Sequence, residues 1–197
     1  MKKIAHTSMI ALTAGAFALS SLGMAVEGVA QETAPVNTNL VSQLDTNDEA
    51  KLTIHKLKGN FAGTNKWGTV QKDVAGDPMD DVVFDIYRVK DIDLSTIDGW
   101  KKYDKLAGTD PNDLIAKAEK VGSVTTANGG IATFTGKVGV YVVKENLGAS
   151  TTVKGTYAPA APFITSLPFT TQDGTNWNKD VHVYPKNDVH AAEKKVV

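Results

Sequence analysis

The sequence predicts an all-β fold, a mainly antiparallel sandwich carrying a short two-helix insertion, on three observations. Apolar and polar residues alternate with a period of two over about six short segments. Those segments are separated by clusters of Gly, Asn, Asp and Pro, the residues that supply turn geometries. One stretch alone, 94–122, shows helical spacing with capping signals instead.

The chain opens with Met1, Lys2 and Lys3, runs through an apolar stretch from Met9 to Val26, and reaches small residues at Gly28-Val29-Ala30. This is the pattern of a secretory signal peptide over residues 1–30, so export is expected, with no membrane attachment after cleavage. A transmembrane anchor is the alternative, but Thr13, Gly15, Ser20, Ser21 and Gly23 interrupt the run. Residues 31–50 are polar and aperiodic and are expected to form a flexible lead. A domain over 51–190 and a linker over 191–197 complete the expected organisation.

In the first strand Leu52, Ile54 and Lys56 share one face and Thr53, His55 and Leu57 the other. Gly59–Asp81 reads as a long surface loop. Val82–Val89 alternates again and forms a second strand. Ser95 or Thr96 caps a helix that stops at Gly108, and Asp110-Pro111 opens a second one expected to run to Gly122, with Leu114, Ile115, Ala118 and Val121 on its core face. Strands are then expected over 131–134, 138–145, 163–170 and 180–187, which together suggest a sandwich of immunoglobulin-like kind.

Composition excludes several functions. The formal charge of −1 leaves no basic field for nucleic acid, and losing Lys2, Lys3 and Glu27 with the signal peptide makes the chain slightly more acidic. There is no cysteine, so an exported domain of this kind must do without disulfides or use other covalent chemistry. A hydrolase has little support: past residue 30 the histidines are His55, His182 and His190, and no Gly-x-Ser-x-Gly elbow is present. The pairs Asp80-Asp81 and Asp91/Asp93 read as solvated turns rather than metal ligands, and no metal or cofactor is expected.

One segment carries chemistry. Trp177-Asn178-Lys179-Asp180-Val181-His182-Val183-Tyr184-Pro185-Lys186 resembles the pilin motif WxxxVxVYPK of Gram-positive pilus shaft subunits, matching at Trp177, Val181, Val183, Tyr184, Pro185 and Lys186. The resemblance extends to Leu52-Thr53-Ile54-His55-Lys56, the 84–89 strand and Leu167-Pro168-Phe169. It implies a structural subunit rather than an enzyme. A sortase would cleave the LPxTG-type signal of one subunit, hold its threonine as a thioester, and pass it to Lys186 of the next. The implied partners are neighbouring pilins, a pilus-specific sortase and tip or base pilins, on the cell wall. With Val181 and Val183 facing the core, alternation turns His182, Tyr184 and Lys186 outward, and Pro185 suits an edge strand. The plain alternative is an ordinary solvated lysine.

The same parity places Lys56, Glu145 and Asn187 on inward faces, where a lysine is costly unless paired or neutral. This resembles Cna B-type domains, in which an acid assists a lysine amine to attack an asparagine amide with loss of ammonia. A Lys56–Asn187 bond assisted by Glu145 is the expectation the resemblance carries. Alternatively Lys56 extends its ammonium to the rim and Glu145 is a solvated strand end. In that family Ala-Pro-x-Gly-Tyr usually follows the acid, whereas here Glu145 precedes Asn-Leu-Gly-Ala-Ser and Ala158-Pro159 comes only later. A second function remains open: an adhesin presenting the Gly59–Asp81 loop, with Trp67, to a host ligand, against a loop that only guides the sortase. Ending at Lys194-Lys195-Val196-Val197 without a sorting signal, the chain is expected to be the first domain of a longer subunit.

Overall fold

The computed structural model describes residues 38–59, 63–151 and 159–185. The signal segment 1–30, Lys186, Asn187 and the linker 191–197 lie outside the described residues.

The fold has three layers. Sheet A joins β11 (Asp180–Val183), β1 (Glu49–His55) and β6 (Ile131–Lys137) in that order. The second layer, sheet C, has the order β5 (Glu119–Thr125), β4 (Val83–Arg88), β7 (Gly139–Glu145) and β8 (Phe163–Leu167), antiparallel throughout. Short pairs β2 (Leu57–Lys58) with β3 (Asp77–Pro78), and β9 (Phe169–Thr170) with β10 (Trp177–Asn178), finish the β structure. Helices α1 (Thr38–Val41), α2 (Ile97–Asp104) and α3 (Pro111–Ile115) make the third layer. The sandwich is mainly antiparallel, as the alternation predicts; the β1–β11 pair is parallel, with Ile54 beside Val183.

Two cores follow from strand parity. Ala50, Leu52 and Ile54 of β1 and Val181 and Val183 of β11 face Phe84, Ile86, Tyr141, Val143, Phe163 and Leu167 of sheet C. On the other side of sheet C, Val138, Val140, Val142 and Ile164 pack under Leu94, Trp100 and Tyr103 of the insertion and Val41 and Leu44 of the N-terminal turn. Strand β7 is therefore buried on both faces, which is why its sequence, GVYVVKE, is nearly continuously apolar.

Four expectations change. Within the lead expected over 31–50, residues 38–50 are ordered, because Leu40, Val41 and Leu44 bury themselves, and β1 starts at Glu49. The helix opened by Asp110-Pro111 stops at Ile115 and the chain turns into β5, where Val121 is exposed: pairing along the β4 edge outweighs a weak helical pattern. The strand expected over 163–170 breaks into β8 and β9 around Pro168, which has no N–H for a ladder. The loop 59–81 is less open than its composition suggests: β3 and buried Met79 lie within it. The caps read from sequence are present, with Thr96 accepting from the Gly99 N–H and Asp110 from that of Asn112.

Candidate functional site

The motif strand β11 is an edge strand in sheet A, and both of its ends are tied down. Just ahead of it, in β10, Trp177 stacks on Trp100 of α2 at 5.5 Å with rings 10° from parallel, and its indole N–H donates to the Leu40 carbonyl at 3.1 Å. Along its length Val181 and Val183 are fully buried in the inner core. At its far end Tyr184, expected to face outward, is only 4% exposed.

The cause is the long loop. It folds over the free edge of β11 and satisfies backbone groups that an edge strand would otherwise offer to solvent. The His182 N–H donates to the Gly68 carbonyl at 2.8 Å, and the Asn178 amide donates to the carbonyls of Trp67 and Gly68 at 3.0 and 3.1 Å. The Tyr184 N–H donates to the Thr64 hydroxyl, and its phenol oxygen accepts from the Gln71 N–H at 3.0 Å. Gly68 makes this fit possible: it has φ +60°, and a Cβ there would stand 2.9 Å from both Phe169 and Val181.

Inside the sandwich, Lys56 and Glu145 form an ion pair of 2.9 Å with both side chains fully buried. Burial pushes the Lys56 ammonium toward the neutral amine, and the Glu145 carboxylate beside it offsets only part of that shift. The Lys56 backbone is fixed at the end of β1: its N–H donates to the Gly130 carbonyl at 2.7 Å and its carbonyl accepts from the Met79 N–H at 3.0 Å. Gly130, at φ +76°, takes a side chain only if the backbone shifts, since a Cβ there would meet the Lys56 carbonyl oxygen at 2.3 Å. Asp80 holds this turn by accepting from the N–H groups of Gly129 and Gly130 at 3.0 and 2.6 Å.

Glu145 also accepts from the Ala160 N–H at 2.8 Å. The Pro159-Ala160 segment, distant in sequence, is thus brought to the carboxylate by the fold. Sequence reasoning had no local signal for that contact, nor for α1 beneath Trp177, nor for His55, whose Nε2 lies 2.8 Å from His182 Nδ1. Of the expected site residues, the structure brings Lys56 to Glu145 and aligns Trp177, Val181, Val183, Tyr184 and Pro185 along one edge; Lys186 and Asn187 lie outside the described residues. Among the described residues no cluster of three or more His, Asp or Glu is arranged for a metal, and no helix is long and apolar enough to cross a membrane.

A β-sandwich with a buried lysine–carboxylate pair and an edge strand reading WxxxVxVYP defines the class: a pilin domain. The chain belongs to the Gram-positive pilin family, residues 47–188 matching the model of its N-terminal domain, subunit D1. It is 36% identical over 169 residues to fimbrial subunit type 1 of Actinomyces viscosus, covering 83% of this chain and 30% of that one. The solved fimbrial protein FimP of Actinomyces oris superimposes with a TM-score of 0.60 at 32% identity, over 74% of this chain and 31% of that one. The major pilin SpaA of Corynebacterium diphtheriae, whose structure points to a modular pilus assembly with stabilising isopeptide bonds, gives 0.54 at 27% identity, over 71% and 30%. The chain spans less than a third of the length of each of these relatives.

Proposed function

We propose that this domain is the acceptor unit of a cell-surface pilus shaft, polymerised by a sortase through Lys186. The Lys186 amine attacks the thioester carbonyl of a neighbouring subunit's threonine, the sortase thiolate leaves, and an intersubunit amide remains. Catalysis belongs to the sortase; this chain supplies the nucleophile, next in sequence after a clamped strand end. Neighbouring pilins, the sortase and the tip or base pilins are its partners, on the Gram-positive cell wall.

One observation carries the reading: the strand that precedes Lys186 in sequence is clamped by Trp177 on one side and by the loop and Tyr184 on the other, so the motif is held in place as far as Pro185. Holding a reactant in one geometry is the protein's share of such a reaction. The loop backbone is spent on this clamp, which favours a guiding role over an adhesin surface.

We further propose that Lys56 and Asn187 join with loss of ammonia, Glu145 relaying the proton. The support is the buried amine, its depressed proton affinity and the parallel register that runs β11 toward the Lys56 end of β1. Such a bond would close a loop over most of the domain and resist tension as a disulfide does. Intact mass of the purified chain reads it directly, and an unshifted mass rejects it. For the acceptor, the secreted chain 31–197 is incubated with a pilus sortase and an LPxTG peptide, wild type beside Lys186→Arg. Attachment at Lys186 that vanishes in the variant is expected; an adduct that survives the substitution would sink the proposal.

A further inference from the structure

The outer face of sheet A carries a polar chain that neither the motif nor the buried pair explains. Asp180 Oδ1 lies 3.3 Å from His182 Nε2, and His182 Nδ1 lies 2.8 Å from His55 Nε2. The His55 ring then stacks on Tyr184 at 4.5 Å, 9° from parallel. An ionised carboxylate only accepts, so His182 carries its proton on Nε2. Neutral His182 therefore presents a bare Nδ1, and His55 donates to it from Nε2. Both tautomers follow from the network.

We infer that His55 is a positioning residue of the acceptor strand, holding β11 to β1 through His182 while the pair is neutral and releasing it when the pair takes up acid. The functional meaning rests on reading Lys186 as the acceptor. The release follows from proton placement. One added proton can sit on the far nitrogen of His55 and leave the bond intact. A second must go to His182 Nδ1, where it faces the His55 N–H and expels it.

The surroundings do not buffer this. Among the described residues, Asp180 and Lys51, themselves paired at 2.8 Å, are the charged groups beside the histidines, on the same two strands. From β6, Ile131 and Thr133 stand opposite His55 and Thr53. The loop contributes the Gly68 carbonyl, the Thr64 hydroxyl and the Gln71 N–H, none of which titrates near neutrality. Burial holds both imidazoles below the ordinary 6.5, and the charge of His182 adds to this at His55; Asp180 opposes at both. With folded values depressed, the native state binds fewer protons than the unfolded chain below that pH. The clasp is whole above 6.5 and is lost as pH falls through the folded values. Because Tyr184 rides on the His55 ring and precedes Pro185-Lys186, the loosening reaches the acceptor end of the strand.

Hydrogen exchange on the full chain, with peptides spanning 177–185 and 139–145 followed from about pH 7.5 to about pH 5, tests this. Wild type is expected to lose roughly tenfold protection in the first peptide and not in the second, after correction for intrinsic exchange. His55→Gln restores the bond without the titration, since its amide donates to bare Nδ1 and, rotated, accepts from protonated Nδ1; its profile is expected to be flat. A flat wild-type profile, a dependence that survives in His55→Gln, or equal loss in both peptides overturns the inference. So does imidazole nitrogen NMR showing His182 protonated on Nδ1 at neutral pH, a readout that needs no variant. Neither measurement involves a sortase, so a failed transfer to Lys186 removes the proposed acceptor while leaving the clasp standing.

Discussion

Sheet C separates two cores, and only the inner one, among the described residues, holds an ion pair with both partners buried. The inner core, shared with sheet A, is aliphatic and aromatic along β1, β4, β7 and β11 but ends in Lys56 and Glu145, both wholly buried. The outer core, under the helices, is closed by rings: Trp100 against Trp177, with Tyr103 edge-on to Trp100. Adjacent residues of a single strand, β7, serve both. The motif strand is thus secured at Trp177 by apolar contact that tolerates adjustment and runs toward a core whose electrostatics tolerate none. On the helical side the buried carboxylate of Asp85 is answered instead by Lys120, which stays half exposed, so the fully dry pair is a feature of the inner core.

The largest effect should come from removing half of the charged pair. Glu145→Ala strands a buried amine without its carboxylate and should cost about 3–5 kcal/mol in denaturant unfolding. A cost under about 1 kcal/mol would mean that the inner core is no more exacting than the outer one. Truncating Trp177 to alanine, by contrast, loses a stacked pair and one hydrogen bond at a half-buried site, about 2–3 kcal/mol in the same assay. Exchange protection should fall in 38–44 and 97–104 while 52–54 stays protected. Equal loss in both regions would show that the two cores are one cooperative unit and erase the distinction.

Much of this arrangement is legible in the sequence where one strand face is wet. The alternation in β1, β4 and β11 marks Leu52, Ile54, Phe84, Ile86, Val181 and Val183 as inward, and parity alone aims Lys56 and Glu145 at the core. Capping chemistry locates the starts of α2 and α3 within a residue. What is illegible depends on contacts between distant segments. Tyr184 has outward parity and is buried only because the loop folds over β11. The N-terminal turn looks aperiodic because its order depends on Trp177, more than a hundred residues later. The helical spacing read over Leu114, Ile115, Ala118 and Val121 runs into β5, and only the pairing of that segment with β4, where Asp85 receives Ser123 and Lys120, makes it a strand. The parallel partnership of β1 and β11, which creates the His55–His182 contact, has no local signature at all.

A smaller perturbation sharpens the comparison at the turn behind Lys56. Gly130→Ala forces a Cβ toward the Lys56 carbonyl at a backbone conformation that alanine avoids, at about 1–3 kcal/mol. Because the strain lies on the backbone that aims the lysine, the fraction of purified chain showing ammonia loss by mass should fall with it. Unchanged ammonia loss in a destabilised variant would mean that the pair forms without help from this turn.

The smallest effect belongs to the exposed ion pairs, and it isolates burial as the variable. Lys179 and Asp48 meet at 2.6 Å, closer than Lys56 and Glu145, yet their side chains are 44% and 43% exposed. In water the attraction is screened and both long side chains lose freedom to make it, so Lys179→Ala should cost at most about 1 kcal/mol. That residual should shrink further in molar salt, where the screening length falls to about 3 Å. The Glu145→Ala penalty should be nearly unchanged by the same salt. If salt weakened both alike, the inner pair would have to be reached by solvent, and the contrast between a dry charged site and a wet one would disappear.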